Sequence, residues 1–150
     1  MKSLRALLVT VLLLTSGSAL AYETFTVGLQ AEAHRNYFGY NAHAVLPFTT
    51  FTGGTNDRTF SVRADFTAGD VVYAGLAAVI SGAGPGIQPF ASLGAGAALW
   101  GAPPRPTFQG LIGARVPITG GLYAVAQFQL LVSTLGHAEP GFGIGLEYSF

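Results

Sequence analysis

Gly141-Phe142-Gly143-Ile144-Gly145-Leu146-Glu147-Tyr148-Ser149-Phe150 carries an apolar residue at every second position. Period two is the spacing of a β-strand, whose successive side chains point to opposite faces. Phe142, Ile144, Leu146, Tyr148 and Phe150 then form one face, and the glycines with Glu147 and Ser149 form the other. The same alternation places Phe25, Val27, Leu29, Ala31 and Ala33 against Thr24, Thr26, Gly28, Gln30 and Glu32. It recurs in Phe38, Tyr40, Ala42, Ala44, Leu46 and Phe48, and again in Phe60, Val62, Ala64, Phe66 and Ala68.

Four further strands are less sharply phased: Val71 to Ile80, Ile87 to Trp100, Thr107 to Pro117 and Leu122 to Val132. The first has two apolar faces, which leaves its orientation open. Pro89 in the second counts against a central position in a sheet. Turn chemistry separates all eight, at His34 to Asn36, Gly53 to Asp57, Ala68 to Asp70, Gly82 to Gly86, Gly101 to Pro106, Thr119 to Gly121 and Thr134 to Pro140. The fold class expected is all-β: an eight-stranded antiparallel up-and-down transmembrane β-barrel with short connections. Closure is required because lipid does not tolerate an unpaired sheet edge.

The start of the chain reads as a targeting segment. Lys2 and Arg5 precede the apolar run Ala6 to Leu14, and Ala19-Leu20-Ala21 is the small-residue pattern behind which a signal peptidase cuts. Residues 1–21 are therefore expected to be removed, leaving 22–150 as one barrel domain in the outer membrane of a diderm bacterium. Mean hydropathy is +0.47, yet beyond the signal no apolar run approaches the roughly 20 residues of a membrane helix. The chain has no cysteine, which excludes disulfides, lipidation at cysteine and thiolate metal sites. Past the signal, Arg35, Arg58, Arg63, Arg105 and Arg115 face seven acidic residues without a lysine, so there is no basic footprint for nucleic acid.

The terminal Gly141 to Phe150 segment resembles the last strand of small bacterial outer-membrane β-barrel proteins of the eight-stranded type. Gln88-Pro89-Phe90-Ala91-Ser92-Leu93-Gly94-Ala95-Gly96 is similar to a proline, aromatic and glycine-rich strand phrase of the same class. The resemblance implies that Phe150, Tyr148 and Leu146 form an assembly signal read by the barrel-assembly machinery, and that outer-membrane lipid is the other partner. It departs from typical members in its short loops. Aromatic residues are expected in two girdles: Tyr22, Phe25, Phe48, Phe51, Phe60, Tyr123, Tyr148 and Phe150 at the end bearing the termini, and Phe38, Tyr40, Phe66, Tyr73, Trp100, Phe108 and Phe142 at the other.

Eight strands enclose a lumen that side chains can fill. The expected lumen residues are Gln30, Glu32, Asn41, His43, Arg63, Asp65, Gln88, Gln109, Arg115, Gln127, Gln129 and Glu147. Among them Glu32, Arg63, Asp65, Arg115 and Glu147 are expected to form structural ion pairs that offset desolvation. This suggests a monomeric structural or envelope-maintaining barrel that is not an enzyme and has no cofactor or metal. Alternatives are a narrow, porin-like passive pore, an outer-leaflet lipid-modifying enzyme, and a soluble secreted barrel that carries a ligand in an apolar interior. Ser133, Thr134, His137 and Glu139 share one loop, but the His-x-Ser-Asn phrase of lipid A deacylases is missing, and the loop reads as a polar turn. His34, His43 and His137 have no zinc-ligand spacing, and His34 is expected at the rim among headgroups. A charge on the lipid face, as in Ile144→Arg, should be costly, and Gln127→Arg much less so.

Overall fold

The computed structural model describes residues 24–35, 37–51, 57–82, 86–99 and 103–150. The signal segment, Tyr22, Trp100 and most of the Gly53 to Asp57 turn lie outside the described residues. Eight strands follow one another: β1 Thr26–His34, β2 Phe38–Phe51, β3 Arg58–Gly69, β4 Val72–Gly82, β5 Gln88–Leu99, β6 Arg105–Thr119, β7 Leu122–Ser133 and β8 Ala138–Ser149. Each pairs antiparallel with its neighbour in sequence, and β1 pairs with β8, so the sheet is a closed barrel.

The closing seam runs in register from Thr26 opposite Ser149 to His34 opposite Gly141. Hydroxyls of Thr26 and Ser149 lie 2.7 Å apart across it, and Phe150 N donates to Phe25 O at 3.0 Å. The Phe25 and Phe150 rings stack beside it at 5.8 Å. At this terminal end, Gly120 and Gly121 make the two-residue turn between β6 and β7 with φ of 47° and 85°. Such a turn needs left-handed backbone at both central positions, which glycine alone adopts at no steric cost.

Proline is placed where a missing N–H does least harm. Pro47 and Pro117 flank register shifts, and Pro89 lies just beyond the last β4–β5 pair, Ser81 with Phe90. A proline at a strand start or bulge interrupts little of the ladder. This reconciles Pro89 with a strand paired on both sides.

Alternation resolves the two faces. Phe142, Ile144, Leu146, Tyr148 and Phe150 are all exposed, as are Leu29, Phe38, Tyr40, Leu93 and Ile112. The residues that alternate with them are buried or half-buried. A soluble carrier requires the opposite sidedness, because water-soluble proteins rarely expose a continuous apolar wall. A strand of 12 residues such as β8 rises about 40 Å, and tilted as in membrane barrels it still exceeds the apolar band of about 25 Å.

Two aromatic placements differ from the sequence expectation. Tyr73 does not join a girdle: it is fully buried in the lumen with its hydroxyl donating to Gln109 Oε1 at 3.3 Å. Tyr123 turns inward at the terminal end, where the Arg115 guanidinium lies 4.9 Å from its ring centroid. Tyr73 belongs to a strand whose two faces are both apolar, so period two alone does not assign its side, whereas Tyr123 shares the inward phase of Gln127 and Gln129 on β7.

Ile144→Arg places a charge on the exposed wall and should cost about 2–4 kcal/mol if the residue lies near mid-bilayer, as measured by urea titration of vesicle-refolded protein. Gln127→Arg loses its expected mildness. Gln127 is 1 % exposed and is bonded to Gln30 and Glu32, leaving no room for a longer cation. The same titration should show it destabilised by at least about 1–3 kcal/mol, the range for overpacking a filled interior.

Candidate functional site

Inward phase on eight strands converges the polar side chains into one network. At the terminal end Arg115 Nε donates to Gln88 Oε1 at 2.6 Å, and Arg115 Nη1 lies 3.6 Å from Glu147 Oε2. The other Glu147 oxygen meets His43 Nε2 at 2.8 Å, and His43 Nδ1 meets Asn41 Oδ1 at 3.0 Å. Asn41 Nδ2 donates to Asp65 Oδ1 and to Thr67 Oγ1, whose own hydroxyl donates to Glu32 Oε2 at 3.3 Å. Arg63 Nε donates to Asp65 Oδ1 at 2.8 Å. Glu32 also receives Gln127 Nε2 and lies 3.3 Å from His34 Nε2.

This geometry brings Arg63 to Asp65 and Arg115 to Glu147. Glu32 has no arginine: it is held by Thr67, Gln127 and His34 instead. His43 lies between Glu147 Oε1 and Asn41 Oδ1 and links the two.

The lumen is not wholly polar. Tyr37, Val71, Tyr73, Ala98 and Leu131 form a buried apolar cluster toward the distal end, opposite the termini. Val79, Phe90 and Val125 form another toward the terminal end. Beside the latter is a cavity of about 20 Å³ lined in part by Ser61, Arg63, Arg115 and Glu147, room for about one water molecule.

Glycine opposite a ring is a recurring fit on the inner wall. Gly28 faces His43 across β1 and β2, Gly113 faces Phe90 across β5 and β6, and Gly141 faces His34 across β1 and β8. A Cβ at any of them would overlap the ring it faces. A close approach, rather than a need for unusual backbone, accounts for glycine at these three positions.

The distal mouth is built from the β1–β2 turn and the start of β8. His34 N donates to Tyr37 O at 2.9 Å, folding the Tyr37 ring over the imidazole at 4.3 Å and 10°. His34 was expected among the headgroups, but its side chain is fully buried between Tyr37 and the bare Gly141 backbone. Its inward phase with Gln30 and Glu32 is the signal that marks it. Glu139 on β8 is half-buried nearby. Burial first, then the charges of Glu139, Glu32 and Asp70, push the Tyr37 hydroxyl well above its ordinary range, so it stays protonated. His34 Nδ1, Tyr37 Oη and Glu139 Oε2 are buried without hydrogen-bond partners among the described residues.

The β7–β8 loop is a closed turn. Ser133 N donates to His137 O, Gly136 N donates to Ser133 O, and Ser133 Oγ accepts from His137 N at 3.2 Å. Ser133 is buried and its hydroxyl is committed to the backbone, whereas His137 is exposed. No group of three or more His, Asp or Glu able to hold a metal ion occurs among the described residues.

Fold and wall together define a closed eight-stranded barrel of the outer-membrane type. Among solved structures it is similar to one described as the outer membrane enzyme PagL, with a TM-score of 0.62 and 15 % sequence identity over 83 % of this chain and 99 % of that one. No protein-family model matches the chain, and no curated protein sequence does. The likeness corrects the expectation that the chain is not an enzyme, since an outer-membrane enzyme is built on the same barrel.

Removing one member of a buried ion pair leaves the other charge uncompensated. Asp65→Ala should therefore lower stability by about 3–5 kcal/mol through the stranded Arg63, read from the unfolding midpoint in micelles. A double Arg63→Met, Asp65→Leu variant should recover much of that loss.

Proposed function

We propose that the chain is an outer-membrane barrel that modifies lipid of the outer leaflet, with its working groups at the distal mouth. The observation that carries this reading is the His34 imidazole. When Nε2 directs a proton at Glu32 Oε2, 3.3 Å away, the lone pair lies on Nδ1, and that atom has no partner among the described residues. This is the protonation pattern of a general base held by a carboxylate. The Tyr37 hydroxyl beside it keeps its proton and serves as a donor to developing negative charge. Such a pair suits ester hydrolysis. His34 Nδ1 takes a proton from water as the oxygen attacks an acyl carbonyl, Tyr37 steadies the oxyanion, and the proton passes to the departing alcohol.

The wall supports placing the chemistry at a mouth. Outward positions along the strands, such as Leu29, Phe66, Leu93, Ile112 and Ile144, are apolar and offer no acid or base. Likeness to an outer-membrane enzyme supports the class of activity. With the termini in the periplasm the distal mouth faces outward, where outer-leaflet lipid is the partner. Phe150, Tyr148 and Leu146 stand exposed on the closing strand and its end, in the position proposed for a signal to the assembly machinery. A second reading, a monomeric envelope-maintaining barrel, draws on the continuous lumen network.

The test is mass spectrometry of lipid extracted after incubating the refolded 22–150 chain with vesicles of lipopolysaccharide and ethanolamine phospholipid. Loss of an acyl chain is expected, with His34→Asn slower by about 10²–10⁴-fold and Ser133→Ala unchanged in rate. Intact lipid, or conversion indifferent to His34→Asn, overturns the reading. Planar-bilayer recordings of the same protein should show no discrete openings, because the lumen is filled.

A further inference from the structure

Glu32, which faces His34 Nε2, is itself held by two side chains from other strands. Thr67 on β3 donates its hydroxyl to Glu32 Oε2 at 3.3 Å, and Gln127 Nε2 on β7 donates to Oε1 at the same distance. All three residues are buried, so protein groups rather than bulk water set the direction of each bond. The wall makes room for this convergence at Gly143 on β8. A Cβ there would meet Gln30 Oε1 at 2.8 Å and the Cγ atoms of Gln127 and Glu32 at 3.3 Å each.

Bond direction follows from groups that act in one sense only. The Arg63 guanidinium only donates, and an ionised Asp65 only accepts. Arg63 Nη2 donates to Asn41 Oδ1 at 3.4 Å and Asn41 Nδ2 donates to Asp65 Oδ1 at 3.2 Å, so the Asn41 amide cannot be turned over. Asn41 Nδ2 also donates to Thr67 Oγ1 at 3.1 Å, which occupies a lone pair of that hydroxyl and leaves its proton for Glu32. Gln30 Nε2 donates to Gln127 Oε1 at 3.2 Å, which turns the Gln127 amide nitrogen toward Glu32. Both Glu32 oxygens therefore meet donors, and the His34 nitrogen that faces Oε2 is the one that carries a proton.

We propose that Thr67 and Gln127 are positioning residues for the His34 base, acting through Glu32. They fix where the carboxylate sits, and so keep the proton on Nε2 and the lone pair on Nδ1. The Arg63 and Asp65 pair gives the Thr67 arm its direction through Asn41. The proposal deepens the outer-leaflet reading and rests on it for the reaction that His34 serves.

The experiment compares variants of the refolded 22–150 chain, ring-labelled at histidine with nitrogen-15. NMR in micelles, at a pH where the ring is neutral, reads the His34 tautomer and the exchange of its ring proton. Acyl release from lipopolysaccharide vesicles reads the rate. The unaltered chain is expected to hold His34 as the Nε2–H tautomer with that proton slow to exchange. Thr67→Val keeps the shape and removes the hydroxyl; it should speed that exchange and lower kcat by about tenfold or more with KM unchanged. Thr67→Ser returns the hydroxyl and should restore both. Gln127→Met removes the other donor, should act in the same direction, and stands in if Thr67→Val does not fold. Tyr73→Phe breaks a buried bond of similar length, to Gln109, outside this chain of bonds and should change neither measurement.

An Nδ1–H tautomer in the unaltered chain overturns the proposal. So does a His34 proton indifferent to both Thr67→Val and Gln127→Met, or one lost equally in Thr67→Ser and Tyr73→Phe, which would reduce the effect to packing. The two readings fail separately. Acyl loss that needs His34 but not Thr67 or Gln127 would leave the enzyme reading standing and remove this one. A ring proton that follows Thr67 in a chain releasing no acyl group would keep the positioning residues and remove the enzyme reading.

Discussion

A sheet surrounded by lipid has no water to satisfy an open edge, so β1 must find β8 or the structure cannot exist in a membrane. The remaining architecture follows from that seam. Its register, Thr26 with Ser149 through His34 with Gly141, fixes which residues of the first and last strands face inward together. Glu147 comes within reach of His43 on β2 and of Arg115 on β6, and Gly141 comes to lie against His34. A one-residue slip would expose Gln30, Glu32 and Glu147 to lipid and turn leucines inward. Alternation on β1 and β8 opposes such a slip at every pair.

Closure also makes the lumen a problem of charge. Three carboxylates withdrawn from water require compensation, and removing charges from solvent costs more than attraction alone returns unless geometry and hydrogen bonds are good. Here compensation is shared. Arg63 grips Asp65, Arg115 reaches Glu147 and Gln88, and His43 joins Glu147 to Asn41. Glycines opposite the rings let His43, Phe90 and His34 occupy a cylinder too narrow for two side chains at each level. Composition rich in glycine and poor in charge is thus the composition of a barrel that fills itself.

Much of this was legible along the chain. β1, β3 and β8 alternate cleanly because one face meets lipid and the other meets polar groups, and their inward residues, Gln30, Glu32, Arg63, Asp65 and Glu147, could be assigned from phase alone. β4 could not be, since Tyr73, Ala77 and Val79 are apolar and still face inward. A lumen packed partly with hydrocarbon has the same polarity as the wall, so period two loses its contrast there. Tyr73 was misplaced for this reason, whereas the inward phase of Gln127 and Gln129 does mark Tyr123. His34 was obscured differently. It ends a strand beside Arg35 and Asn36, where turn chemistry suggests a rim, and only the β1–β8 pairing reveals Gly141 beneath it and Tyr37 above.

The two mouths are finished unequally. At the terminal end the charged groups are engaged: Arg115 with Gln88 and Glu147, Glu147 with His43. At the distal end an imidazole nitrogen, a phenol oxygen and a carboxylate oxygen are buried without partners among the described residues. Packing does not require this arrangement, because the same barrel finishes its other end with charges paired.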